Sequence, residues 1–79
     1  MLDPIIVGRV LRRCREDKGL SQEVVSGLAD VGRTHLSAIE CGARKPTLET
    51  LFRISHALNI PPSDIVRKIE NEIAFENNT

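Results

Sequence analysis

SQEVVSGLADVGRTHLSAIECG, residues 21–42, reads as two short helices meeting across a tight break. Ser21 has the character of an N-cap, a hydroxyl that accepts from a first-turn backbone N–H with no helical carbonyl to bond. Val24, Val25, Leu28 and Ala29 follow at helical spacing and form the apolar face of a segment barely two turns long. A helix so short has no stability of its own and must be held by its neighbours. Asp30, Val31 and Gly32 interrupt the period, Arg33 to Cys41 resume it, and Gly42 supplies a left-handed stop.

On a wheel that advances about 100° per residue, Arg33, Thr34, Ser37 and Cys41 share one arc while Leu36 and Ile39 lie opposite. Two aliphatic side chains therefore anchor this helix, and its other side offers solvent a flat strip of small or hydrogen-bonding groups. Such a strip fits the major groove of duplex DNA, which is about 12 Å wide and exposes base edges that an arginine fork can read. Arg33 is the candidate base reader, with Thr34 and Ser37 as candidates for base or phosphate contact. Cys41 falls on the same arc. His35, at its edge, is open between reading DNA and packing against the preceding helix. Gln22, which begins that preceding helix, is placed for a phosphate. Arg44 and Lys45 follow the reader and are candidates for phosphate contact, contributing affinity rather than specificity.

Working outward, Asp3 and Pro4 supply a cap and a first-turn proline, after which Val7, Val10, Leu11 and Cys14 recur at helical spacing until Gly19. Thr47 caps a fourth helix marked by Leu48, Leu51, Ile54, Ala57 and Leu58, with Asn59 at its left-handed end and His56 expected to be partly buried. Pro61 and Pro62 open a fifth, whose apolar stripe is Ile65, Val66, Ile69 and Ile73. Ile65, Ile69 and Ile73 are the candidates for an interface with a twin subunit, with Ile65 and Val66 also reaching the chain's own core. The expectation is one all-α domain over 1–79, with 60–76 contributing a dimerisation helix and 77–79 a disordered end.

Seventy-nine residues suffice for one small core, which at this size covers only about 60% of the surface of the unfolded chain, so oligomerisation would help it. There is no Trp or Tyr and only two Phe, which leaves an aliphatic core and excludes stacking platforms for single-stranded nucleic acid. Eleven basic residues balance eleven acidic ones, which argues against indiscriminate binding of polyanions. The balance is uneven along the chain: residues 1–58 hold nine basic and seven acidic side chains, residues 59–79 two basic and four acidic. Cys14 and Cys41 lack metal-ligand spacing, and His35 and His56 complete no metal pattern, so two free thiols and no metal are expected, Cys14 as a core residue. No apolar run approaches the roughly 20 residues that span a bilayer, and the first ten lack a leader pattern, so a cytoplasmic protein is expected. No acid cluster, His and Ser pairing or phosphate-cradling Gly loop points to an enzyme, and neither a cofactor nor a small-molecule ligand is expected.

Ser21, Gln22 and Glu23, a turn, then Ile39, Glu40 and Gly42, then Pro46 and Thr47 form a pattern that resembles the Xre-type helix-turn-helix family, which includes the lambda and 434 repressors and Cro. The resemblance covers nearly the whole chain. It implies a compact five-helix fold with the helix-turn-helix formed by helices 2 and 3, Gln22 on a phosphate, Arg33, Thr34, His35 and Ser37 at the bases, and Arg44 and Lys45 at the backbone. It also implies an ion pair between Arg15 of helix 1 and Glu40. Asp30 stands where the family has Gly, Ser26 where it has Ala, and Val24 where a capping acid is common. Within the family, the chain length and GRTHLSAIE, residues 32–40, are similar to the controller proteins of restriction-modification systems. The implied function is a homodimeric regulator of transcription on a palindromic duplex site. The alternative is the antitoxin half of a toxin-antitoxin pair.

Overall fold

The computed structural model describes residues 2–77, which form five helices and no strand: α1 Pro4–Asp17, α2 Gln22–Ala29, α3 Arg33–Glu40, α4 Leu48–Leu58 and α5 Pro62–Asn77. None of them is long and apolar enough to cross a membrane. The punctuation follows the side chains. Asp3 accepts from Ile5 N at 2.9 Å, Ser21 Oγ from Val24 N at 3.1 Å, and Thr47 Oγ1 from Thr50 N at 3.1 Å, so three helix starts have a side-chain acceptor for an otherwise orphan N–H. Asp30 and Asn59 take left-handed conformations at the ends of α2 and α4. There Val31 N donates to Ser26 O and Ile60 N to Ser55 O, both at 3.0 Å, which returns the chain sharply towards the next helix. Asp30 thus fills the role of the family's usual glycine. Arg53 of α4 donates to its carbonyl at 3.2 Å and ties the turn between α2 and α3 to the scaffold.

α2 packs on α3 and α4, while α1 packs on α3 and α5. The core they enclose is aliphatic, built from Val7, Val10, Leu11, Cys14, Val25, Ala29, Val31, Leu36, Ile39, Leu51, Ile54, Leu58, Ile65 and Ile69. Phe52 and Phe75 are both exposed. Burial pushes the Cys14 thiol up from its ordinary value, so it stays protonated and acts as a small apolar filler. Two buried serines close their own hydroxyls locally, Ser26 onto Glu23 O at 3.0 Å and Ser55 onto Leu51 O at 2.7 Å, so neither costs an unpaired polar group.

The structure corrects several expectations. Ile65 and Ile69 are buried in the chain's own core, and Ile73 is half-buried against it, so the stripe expected to face a twin is largely used within one subunit. The reason is that α5 packs on both α1 and α4, and α1 lies antiparallel along its C-terminal half, where Arg9 and Arg13 pair with Glu76 and Glu72, both at 2.7 Å. Val66, one step round the helix, is exposed instead. Val24 and Leu28 are exposed because α2, wedged between α3 and α4, buries only Val25, Ser26 and Ala29. Leu48 and His56 also face solvent rather than the core. Asn77 ends α5 as a helical residue, and residues 78–79 of the expected disordered end lie outside the described residues.

Two glycines permit α1 to lie against the end of α3. A Cβ on Gly8 would overlap the carbonyl oxygen of Ile39 and stand 2.7 Å from that of Glu40. Gly42 has φ 83°, and a Cβ there would come within 2.8 Å of Ile5 Cγ1 and 2.9 Å of Ile5 Cα. Gly8→Ala is expected to push α1 off α3 and cost about 1–3 kcal/mol, the range for overpacking a filled contact. Urea unfolding followed by circular dichroism measures it, and an unchanged midpoint would show that the two helices are not in close apposition.

Candidate nucleic-acid interface

α3 is seated by Leu36, 1% exposed, and Ile39, 0% exposed, which leaves Arg33, Thr34 and Ser37 pointing to solvent. Those three residues, with Ala38, line one shallow concavity with Gln22 of α2 and with Cys41 and Ala43 of the following turn. The expected strip is therefore a single surface to which the start of α2 contributes. Cys41 is exposed at its end and bonds through Sγ to Ala38 O at 3.4 Å. His35 is half-buried and stands outside the concavity. The loop after α3 does not wander: Ala43 N and Arg44 N both donate to Ala38 O, at 2.9 and 3.2 Å, so the backbone carrying Arg44 and Lys45 is tied to the end of α3.

Behind this surface lies a charged cluster. Arg15 donates to Glu40 twice, Nε to Oε2 at 2.7 Å and Nη2 to Oε1 at 2.9 Å, and once to Leu20 O at 2.8 Å through Nη1. The side chains are 12% and 3% exposed. Such a fork on a carboxylate combines charge with fixed geometry. The Glu40 hydrogen bonds raise the Arg15 pKa above its ordinary value, ahead of the lowering effect of burial. A basic group raised in this way contributes stability that is complete below its ordinary pKa and lost only as pH rises through the raised one, so Arg15 stays charged throughout the neutral range. Gln22 Nε2 also donates to Glu40 Oε1, at 2.9 Å. The resemblance implies the Arg15–Glu40 pair, but nothing in the sequence signals that Gln22 joins it across 18 residues.

Four further arginines have carboxylate partners. Arg9, Arg12, Arg13 and Arg53 pair with Glu76, Glu16, Glu72 and Glu49 respectively, at distances from 2.7 to 3.1 Å. Among the described residues no carboxylate pairs with Arg33, Arg44 or Lys45. A chain with zero net charge thus keeps these three cations free together, on α3 and the loop that follows it. Cations gathered on one surface attract a polyanion there, which a uniformly neutral surface does not.

Removing one partner of a buried ion pair costs about 3–5 kcal/mol, because the other charge is left without compensation. Glu40→Ala is therefore expected to lower the melting temperature sharply or abolish folding. A thermal unfolding curve matching the wild type would remove the cluster from any structural role.

The helix-turn-helix family matches residues 11–65, which include α2, α3 and α4 entire. Over 61 residues the chain is 36% identical to y4dJ, an uncharacterised HTH-type transcriptional regulator of Sinorhizobium fredii, covering 77% of this chain and 79% of the relative. Control protein C.MunI of a Mycoplasma species is 39% identical over 66 residues, covering 82% of this chain and 89% of its own. Among solved structures, the restriction-modification controller protein C.AhdI of Aeromonas hydrophila superposes with a TM-score of 0.77 at 32% identity, over 82% of this chain and 98% of that one. With the family's pattern across most of its length and the buried Arg15–Glu40 pair behind an outward-facing α3, the chain belongs to the helix-turn-helix family of transcriptional regulators, in its Xre-like branch.

Proposed function

We propose that the chain binds duplex DNA sequence-specifically as a homodimer on a twofold-symmetric operator, and regulates transcription in the manner of a restriction-modification controller. The observation that carries this reading is the unburied polar side of α3, with Arg33, Thr34 and Ser37 free on it and Arg44 and Lys45 unpaired just beyond. Arg33 reads a base edge from the first turn, and Thr34 and Ser37 contact neighbouring bases or phosphates, with His35 at the margin. Gln22, Arg44 and Lys45 hold the phosphate backbone, which sets register and supplies affinity. Cys41 closes the strip as a contact residue. The likeness in sequence and fold to the two controller proteins supports the narrower assignment.

Dimerisation then places two copies of α3 about 34 Å apart, one turn of DNA, over a palindrome. With Ile65 and Ile69 committed to the core, two apolar positions are left on α5 for a twin, on opposite sides of the helix at about 100° per residue: Val66, 43% exposed, beside the half-buried Ile73, and Phe75, 65% exposed. Val66→Asp combined with Phe75→Asp is expected to give a folded monomer with weakened operator binding, checked by sedimentation velocity. An undiminished dimer would place the interface elsewhere.

Selection of bound fragments from random duplexes gives the operator. On it, Arg33→Ala is expected to cost about 1–3 kcal/mol and relax preference at one base position. Lys45→Ala is expected to weaken all sequences alike and flatten the dependence of affinity on salt. If Arg33→Ala bound every duplex as the wild type does, α3 would not be the base reader.

A further inference from the structure

The Glu40 carboxylate has a second office besides its pairing with Arg15. An ionised carboxylate accepts hydrogen bonds and donates none. Glu40 takes two donors from Arg15 and a third from the side-chain amide of Gln22, whose Nε2 lies 2.9 Å from Oε1. The amide has two faces of opposite character, an NH2 with two donors and a carbonyl oxygen that only accepts. Against an acceptor it has one favourable setting, nitrogen inward. Turned over, its oxygen would meet a carboxylate oxygen, lone pair against lone pair.

That setting decides what Gln22 offers to the concavity it lines with Arg33, Thr34 and Ser37. One N–H is spent on Glu40, and the second remains as a donor. A phosphate oxygen accepts only, so a donor held in place suits it, whereas an amide free to rotate would present oxygen part of the time and repel it. Resting on the reading that this surface takes duplex DNA, we infer that Glu40 is a positioning residue for Gln22, fixing its amide as a one-way hydrogen-bond donor to the phosphate backbone.

The arrangement links base reading to backbone grip. Glu40 is the last residue of α3, Gln22 the first of α2, and Arg15 belongs to the last turn of α1. Gln22 is therefore oriented only while α3 is docked, so the phosphate contact and the base-reading strip become competent together. A half-docked α3 loses both.

The test is a double-mutant cycle on affinity for a duplex selected by the wild-type protein from a random pool, with Gln22→Leu and Glu40→Gln as the two changes. Gln22→Leu alone is expected to weaken binding about tenfold, the low end for a hydrogen bond to a charged group. Its salt slope should stay that of the wild type, because a neutral donor displaces no counterion. Glu40→Gln, whose amide can donate as well as accept, frees the Gln22 amide to turn; its penalty should shrink at least about threefold in the Gln22→Leu background, since part of its effect acts through Gln22. A purely structural Glu40 would cost the same in both backgrounds, and that additivity in a folded, binding-competent set overturns the inference while leaving the DNA reading intact. Should Glu40→Gln not fold, the Gln22 side-chain amide protons of the wild type are observed by nitrogen-15 NMR. The expected result is one proton protected from exchange by its bond to Glu40 and a second, open to solvent, that shifts strongly when the selected duplex is added. Two protons that exchange with solvent at the same unprotected rate overturn the inference. If the wild type enriches no duplex from the pool, the DNA reading falls and this inference with it.

Discussion

A carboxylate with 3% of its side chain exposed, at the end of a two-turn helix, is the constraint on which this molecule is arranged. Taking such a charge from water is expensive, and the cost is met only if the partners are complete and well placed. Arg15 supplies a planar fork from α1, Gln22 an amide from α2, and the Leu20 carbonyl takes the remaining part of the guanidinium. Three helices are thereby held to mutual positions that apolar packing alone would leave looser, because aliphatic side chains tolerate sliding and a bidentate pair does not. The angle at which α3 faces outward follows from satisfying that one group.

Close approach makes the cluster reachable. Without the Gly8 and Gly42 contacts, α1 would ride higher on α3 and the Arg15 guanidinium would not reach Glu40 with both nitrogens. The core contributes by being aliphatic throughout: Val, Leu and Ile fill the space between five short helices, and the two aromatic rings stay outside. α5 completes this core by spending its stripe on α1 and α4, with arginine–glutamate pairs at 2.7 Å along its flank. Those exposed pairs are weak individually, yet they occupy the basic side chains of α1 that would otherwise compete for a polyanion. Among the described residues, Arg33, Arg44 and Lys45 are left without a carboxylate partner at α3 and the loop beyond it, as Lys18, Arg67 and Lys68 are elsewhere.

Much of this was legible in the residues themselves. Caps at Asp3, Ser21 and Thr47 and left-handed ends at Asp30, Asn59 and Gly42 place the helices within a residue or two, because these are local effects of backbone hydrogen bonding and steric freedom. The polar arc of α3 is likewise a local property, since two buried residues opposite it settle which way it faces. The sequence also determines that the core is aliphatic and that the free cations after α3 exist at all.

Tertiary structure alone decided which apolar residues are spent. Val24, Leu28, Leu48 and Val66 carry the same periodic signal as their buried neighbours, and only the width of each helix contact separates them. Ile65 reads as both core and interface, and Ile69 reads as interface until α1 is laid beside it. Gln22 joins the Arg15–Glu40 pair across 18 residues of chain, with no periodicity to announce it. Helix starts, stops and faces obey rules that reach a few residues, whereas burial and long-range pairing depend on where other helices come to rest.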